Sequence, residues 1–278
     1  MNKNGKSIDT TFLSIDNAET RNYFHRDYIA HALRWSHTIR YLYQTCYKIK
    51  HHVLDIGCGK EMPLAKSIYT GRIPIISYTG VDVKKNEIPD MLLSLNKFNV
   101  NRLTIDAAEL HKDQLPGLPT LITCFEVLEH VEFDHASRIL KQLYQLMPDD
   151  GIFLVSTPCF NGKAAANHVN EMTYLVFGAL LEQTGFTIEN TYGTFASIKD
   201  YLPLLEKKYG QNGLDLFQKM REYHSSDILS NIFAPAFPEA SRNCLWHCRR
   251  VIPQGKIKFP SLMSIPQPWG NGNYEQLS

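Results

Sequence analysis

Between residues 52 and 156 the chain returns five times to one pattern, a short apolar run closed by a turn, with helical spacing between most of the runs. The runs are His52-Val53-Leu54-Asp55-Ile56, then residues 77–82, 100–106, 120–125 and 151–156; two more follow at 187–192 and 243–248. Runs of this length with few polar interruptions are strands covered on both faces, and their alternation with helices predicts a parallel, doubly wound α/β sheet. Helical stretches are expected over 133–146 and 172–183, and an amphipathic helix over 22–50. In that first helix Tyr28, His31, Trp35, Ile39 and Leu42 share one face, while Arg26, Arg34, His37 and Arg40 share the other.

The predicted organisation has five parts. Residues 1–50 form a polar lead-in and the N-terminal helix, and 51–192 form the core. Residues 193–242 form an inserted helical cap, since a gap of that length needs structure of its own. Within it, helices are expected over 200–208 and 214–224. The last core strand falls within 243–251, and the Pro-, Gly- and Asn-rich residues 252–278 form an extended tail. Of the seven cap aromatics, Phe195, Tyr201, Tyr209, Phe217, Tyr223, Phe233 and Phe237, at least half are expected to form the cap's own core.

Composition excludes little. The hydrophobic fraction is 44 %, the charged fraction 21 % and the formal net charge +1, values ordinary for a soluble globular chain. No apolar run approaches the roughly 18 residues needed to cross a bilayer, and the polar first residues do not read as a secretory signal. The expected location is cytoplasmic, with no membrane partner. The six cysteines are scattered, with no CxxC pair, so neither a disulfide framework nor a structural zinc site is expected. Charge is uneven, however. From Arg21 to His52 six Lys and Arg residues face one acid, Asp27. Either a solvated helix face or a nucleic-acid backbone accounts for that stretch.

The first run ends in Gly57-Cys58-Gly59, a turn that lets backbone approach a ligand closely. Asp55 stands two residues before the first glycine. Met62 occupies the third glycine position of the dinucleotide fingerprint, which argues against a nicotinamide cofactor. Asp82 closes the second strand and suits the two hydroxyls of a ribose; Asp106 closes the third and suits an adenine amino group. Ligands of such sheets lie at the carboxyl ends of the strands.

Residues 53–59, Asp82, Asp106, Phe125-Glu126-Val127-Leu128-Glu129-His130-Val131 and Pro148-Asp149-Asp150-Gly151 resemble the ordered motifs of class I S-adenosylmethionine-dependent methyltransferases. The resemblance implies a seven-stranded Rossmann-like sheet with S-adenosylmethionine held by Asp55, Gly57, Cys58, Gly59, Asp82, Val83, Asp106, Ala107, Phe125 and Glu126. Lys60-Glu61-Met62 departs from it, because the family often carries another glycine there.

Glu126, Glu129 and His130 are spaced to share one helical face. His168 follows the neighbouring fifth strand. Two carboxylates and two imidazoles suit a divalent cation such as magnesium or manganese. The same pattern is similar to that of ubiquinone-pathway O-methyltransferases and small-RNA 2′-O-methyltransferases, where it holds a metal that activates a hydroxyl. Without a metal, His130 is the candidate general base, with Glu129 beside it. The expected acceptor is a hydroxyl of a small molecule, glycan or nucleotide. An RNA or DNA acceptor engaged by the basic helix, and a catalytically silent cofactor-binding module, stand as alternatives.

Overall fold

The computed structural model describes residues 26–93, 97–250 and 257–265. Helix α1 (Arg26–Thr45) precedes β1 (His52–Ile56), α2 (Pro63–Thr70), β2 (Ser77–Asp82), the short α3 (Asp90–Leu93) and β3 (Asn99–Thr104). Then come β4 (Leu121–Phe125), α4 (Phe133–Leu146), β5 (Ile152–Pro158), α5 (Tyr174–Thr184), β6 (Thr187–Phe195), α6 (Ile198–Arg221), α7 (Ser226–Ile232) and β7 (Asn243–Arg249). The seven strands form one sheet in the order β3-β2-β1-β4-β5-β7-β6. The pairs from β3 to β5 are parallel, and β7 runs antiparallel between β5 and β6.

Alternation along each strand feeds two cores. Leu54, Ile56, Ile122, Phe153 and Trp246 pack on the face covered by α4 and α5. Val53, Tyr78, Leu121, Leu154 and Leu245 pack on the other face, with Leu42 of α1 and Leu64 and Ile68 of α2. The segment between β6 and β7 has its own cluster, in which Tyr201 of α6 lies near Phe217, Phe233 and Phe237. Tyr209 and Tyr223 are exposed. The two helices expected within this segment lie on either side of Gly210, so α6 is two helical stretches joined at a kink, where glycine alone readily takes φ 60° and ψ −148°. No described helix is long and apolar enough to cross a membrane. All six cysteines are free and buried.

Helix α1 corrects the sequence reading of its two faces. Its buried row is Ala30, His31, Arg34, Thr38 and Leu42. Arg34 is 1 % exposed, so it belongs to no solvated basic face. Arg40 is exposed and His37 half-buried, while the side chain of Arg26 lies outside the described residues.

The inner face of α1 brings imidazoles together. The His37 ring lies 5.1 Å from Tyr192 and 5.8 Å from His247, and Tyr41 lies 5.7 Å from His247 and 5.9 Å from His51. Burial pushes His51 down to about 4. It does the same to His247, despite the nearby Glu189 carboxylate and with help from His37 and Arg249. His31 and His37 are lowered by burial and then by Arg34 and Arg40 respectively. An unfolded chain takes up these protons near pH 6.5, so the neutral imidazoles contribute fully above that pH and lose their contribution as pH falls toward 4. Asp55, raised by burial to about 6, works in the opposite sense. With four imidazoles against few such carboxyls, the melting temperature should fall by roughly 5–10 °C from pH 6.5 to 4.5. His247→Phe should flatten that profile in a thermal-melt series, and a flat wild-type profile would contradict the assignment.

Candidate active site

A cleft of about 1020 Å³ runs along the carboxyl ends of the parallel strands. Helix α1 walls it on one side, the β5–α5 loop and the starts of α6 and α7 on others. At one end the Gly57 turn hangs from β2, with the Gly57 and Cys58 N–H groups donating to the Val81 carbonyl at 2.8 and 3.2 Å. Gly57 has φ +71°, and a Cβ there would stand 2.2 Å from Val127 Cγ2, in the cleft wall. Only glycine keeps this opening.

The acids expected at the strand ends meet in this half of the cleft. Asp82 accepts from the Gly59 N–H at 3.1 Å and the Lys84 N–H at 2.9 Å, so the same carboxylate fixes the turn. Asp106 caps a short 3₁₀ turn by accepting from the Ala108 N–H at 2.9 Å, and His135 Nε2 lies 2.9 Å from its other oxygen. Val83, Ala107 and Phe125 line the same space. Two carboxylates one strand apart, beside a turn that a Cβ would block, fit a nucleoside carrying a short chain.

Asp55, Cys58 and Gly59 stand behind this wall. Asp55 is buried, accepting from Tyr78 and from Thr123 Oγ1 at 2.7 Å, beneath the glycine turn. The unusual Lys60-Glu61-Met62 loop is accommodated from elsewhere. Met62 is fully buried in a left-handed conformation, and Gly80 of β2 supplies the room: a Cβ there would lie 3.1 Å from Met62 Cε and 2.8 Å from Cys58 Sγ.

The other half of the cleft holds Glu129, His130 and His168, whose ligand atoms all lie within 4.8 Å of one another. The first two sit on a 3₁₀ turn, Leu128–His130, and His168 comes from the β5–α5 loop. That loop is clipped to the turn, since the Val169 and Asn170 N–H groups both donate to the Glu129 carbonyl. Glu129 is 1 % exposed, and burial, with Glu126 close by, holds its carboxyl well above the usual range. The His130 ring lies 4.9 Å from that of His168, and its Nδ1 is 3.2 Å from the Asn167 carbonyl. His168 Nδ1 is 2.5 Å from Glu171 Oε1. That pairing puts the ring proton on Nδ1 and makes Nε2 the basic atom.

Glu126, expected with these three, stands apart. It has φ +57°, and its carboxylate turns to Ser156 Oγ and to Asn243 Nδ2, each at 2.8 Å. Arg34 Nη1 lies 3.5 Å from Glu126 Oε1 and donates to Asn243 Oδ1 at 2.9 Å. Sequence reasoning missed the parts played by Arg34, Asn243, His135 and Glu171. Only Glu171 left a readable signal, as an acid three residues after His168.

A family model described as a methyltransferase domain matches residues 23–191. The chain belongs to the methyltransferase-domain family. Two curated relatives of this chain are the ubiquinone biosynthesis O-methyltransferases of Pseudomonas aeruginosa strains LESB58 and PAO1. Each is 32 % identical over 116 residues, 40 % of this chain and 46 % of the relative. The chain thus spans about half the length of the curated relatives it matches. Among solved structures, the N-methyltransferase NodS of Bradyrhizobium japonicum, in complex with S-adenosylhomocysteine, is similar with a TM-score of 0.50 and 12 % identity, over 79 % of this chain and 87 % of that one. The 1,6-didemethyltoxoflavin-N1-methyltransferase of Burkholderia thailandensis gives a TM-score of 0.49 and 16 % identity over 79 % of each chain. At 12 % identity the likeness to NodS is one of fold.

Proposed function

We propose that the chain transfers the methyl group of S-adenosylmethionine to a hydroxyl oxygen of a small molecule, glycan or nucleotide. One observation carries this reading: the nucleoside-shaped half of the cleft opens directly onto the cluster of Glu129, His130 and His168. A nitrogen acceptor needs little beyond positioning, whereas an alcohol needs its proton removed. A buried carboxyl beside two imidazoles is suited to that task. The burial of Arg34 removes the central cation of the basic helix face and with it the main support for a nucleic-acid acceptor.

In this reading Asp82 and Asp106 hold the ribose and the adenine, and the Gly57 turn leaves room for the methionine chain. Glu129, His130 and His168 receive the acceptor hydroxyl, and Glu171 keeps His168 Nε2 basic. The oxygen attacks the sulfonium methyl carbon as the carbon–sulfur bond breaks. The bonding pair stays on sulfur to give S-adenosylhomocysteine, and the hydroxyl proton passes to an imidazole. The same three side chains, two nitrogen donors and one carboxylate, suit a divalent cation such as magnesium or manganese, which would lower the hydroxyl pKa.

Isothermal titration should show binding of both S-adenosylmethionine and S-adenosylhomocysteine. Labelled cofactor should then mark at least one member of a panel of hydroxylated metabolites, glycans, nucleotides and RNA ends. Cofactor binding without any transfer would favour a silent binding module. Labelling confined to amines would replace the oxygen acceptor by nitrogen.

A further inference from the structure

We infer that the acceptor carries an anionic oxygen group, a carboxylate or phosphate, received by Arg242. The inference rests on the methyl-transfer reading of the same cleft and names the class of acceptor. Arg242 lines the cleft, half-buried, immediately before β7. Its backbone is held from both sides: its N–H donates to the Phe195 carbonyl at 3.0 Å, and its own carbonyl accepts from the Cys159 N–H at 2.8 Å. The next residue, Asn243, is tied to Thr194, Arg34 and Glu126. The base of this side chain is therefore fixed at the acceptor end, one residue from the group that holds Glu126.

The two cleft arginines differ in what balances them. Arg34 has the Glu126 carboxylate and the Asn243 amide. Arg242 makes no side-chain hydrogen bond or ion pair with the described residues. Asp227 lines the same cleft without pairing to it. Lys163, exposed on the β5–α5 loop, also lines the cleft with no described partner. Helix α6 begins here too, with Ser197 and Ile198 on the lining and the Ser197 hydroxyl not capping its own helix. A bound neutral acceptor would desolvate the Arg242 guanidinium without giving it a counter-charge. A carboxylate or phosphate would pair with it through two parallel N–H···O bonds.

The test uses the full chain loaded with S-adenosylhomocysteine and titrated with salicylate, phenyl phosphate and neutral salicyl alcohol. At least one charged probe should bind the wild type ten or more times as tightly as salicyl alcohol, about a tenfold effect being usual for one charge-assisted pair. Arg242→Ala should erase that preference while leaving S-adenosylhomocysteine affinity unchanged, and Arg242→Lys should keep part of it. Preference for salicylate alone assigns a carboxylate, and for phenyl phosphate alone a phosphate. Charged probes that bind the wild type no tighter than salicyl alcohol overturn the inference, as does a preference that survives in Arg242→Ala. Should that variant fail to fold, Arg242→Gln serves in its place, and the wild-type comparison stands by itself. Failure of S-adenosylhomocysteine to bind would sink the methyl-transfer reading instead, and the anion preference would still be measurable on the cofactor-free chain.

Discussion

His168→Ala should lower the rate of methyl transfer by about 10²- to 10⁴-fold, the range for losing a positioned proton-transfer group or a metal ligand. Affinity for S-adenosylhomocysteine should stay close to wild type, because His168 stands in the acceptor half of the cleft and not beside Asp82 or Asp106. Glu129→Gln should cost as much, since it keeps the volume of the buried side chain and removes the carboxyl that can take a proton or ligate a cation. Glu171→Gln should cost less, about 10- to 100-fold, as expected when the partner that orients an imidazole is weakened. A chelator divides the two ways the cluster can work. Loss of turnover restored by magnesium or manganese assigns a cation to Glu129, His130 and His168. Full turnover in chelator assigns proton removal to an imidazole, with a rate that falls in acid as that imidazole takes up a proton. Wild-type rates in both His168→Ala and Glu129→Gln would remove the cluster from the chemistry.

The second large effect is expected at the cofactor end. Asp82→Ala should weaken binding of S-adenosylhomocysteine by about 1.5–3 kcal/mol, or roughly 10- to 150-fold, the scale of hydrogen bonds to a charged acceptor. The loss has two sources. The ribose loses its acceptor, and the Gly59 and Lys84 N–H groups lose the carboxylate that sets the turn. Gly57→Ala should be as severe. Its φ of +71° costs an alanine about 1–2 kcal/mol. Its Cβ would also push Val127 into the space the cofactor needs. Calorimetric titration of both variants, with circular dichroism to confirm the fold, measures the effect. Unchanged affinity in Asp82→Ala would withdraw the ribose assignment.

The sheet was readable from sequence because its central strands are covered on both faces. A strand such as Leu121–Phe125 is then almost wholly apolar and its ends are marked by turns. Edges and ends were less readable: β6 runs on to Phe195 and the third strand begins one residue early, at Asn99. The cleft acids followed from strand ends, and His168 followed from the adjacency of β4 and β5. Glu126 did not follow. The spacing argument assumed an α-helical turn, whereas a left-handed residue and a 3₁₀ turn aim its carboxylate elsewhere. Arg34 was misplaced for a related reason. Periodicity sorts charged residues to the outside, and the partners that let this one lie inside include, besides the neighbouring His31, Glu126 and Asn243 far along the chain.

The strand order has a consequence for how the molecule is assembled. Among the described residues β6 pairs only with β7, which is made about fifty residues later and lies between β6 and β5. Until β7 wedges in, β6 and the helices that follow it have no place on the sheet. Such late, distant pairing carries a large loop-closure cost and slows folding. β7 also delivers Asn243, which joins α1 to Glu126. The half of the cleft proposed for the nucleotide therefore consists of residues made early in synthesis, while the half proposed for the acceptor closes only when nearly the whole chain is present. A folding intermediate of this protein should bind S-adenosylhomocysteine before it gains any grip on an acceptor.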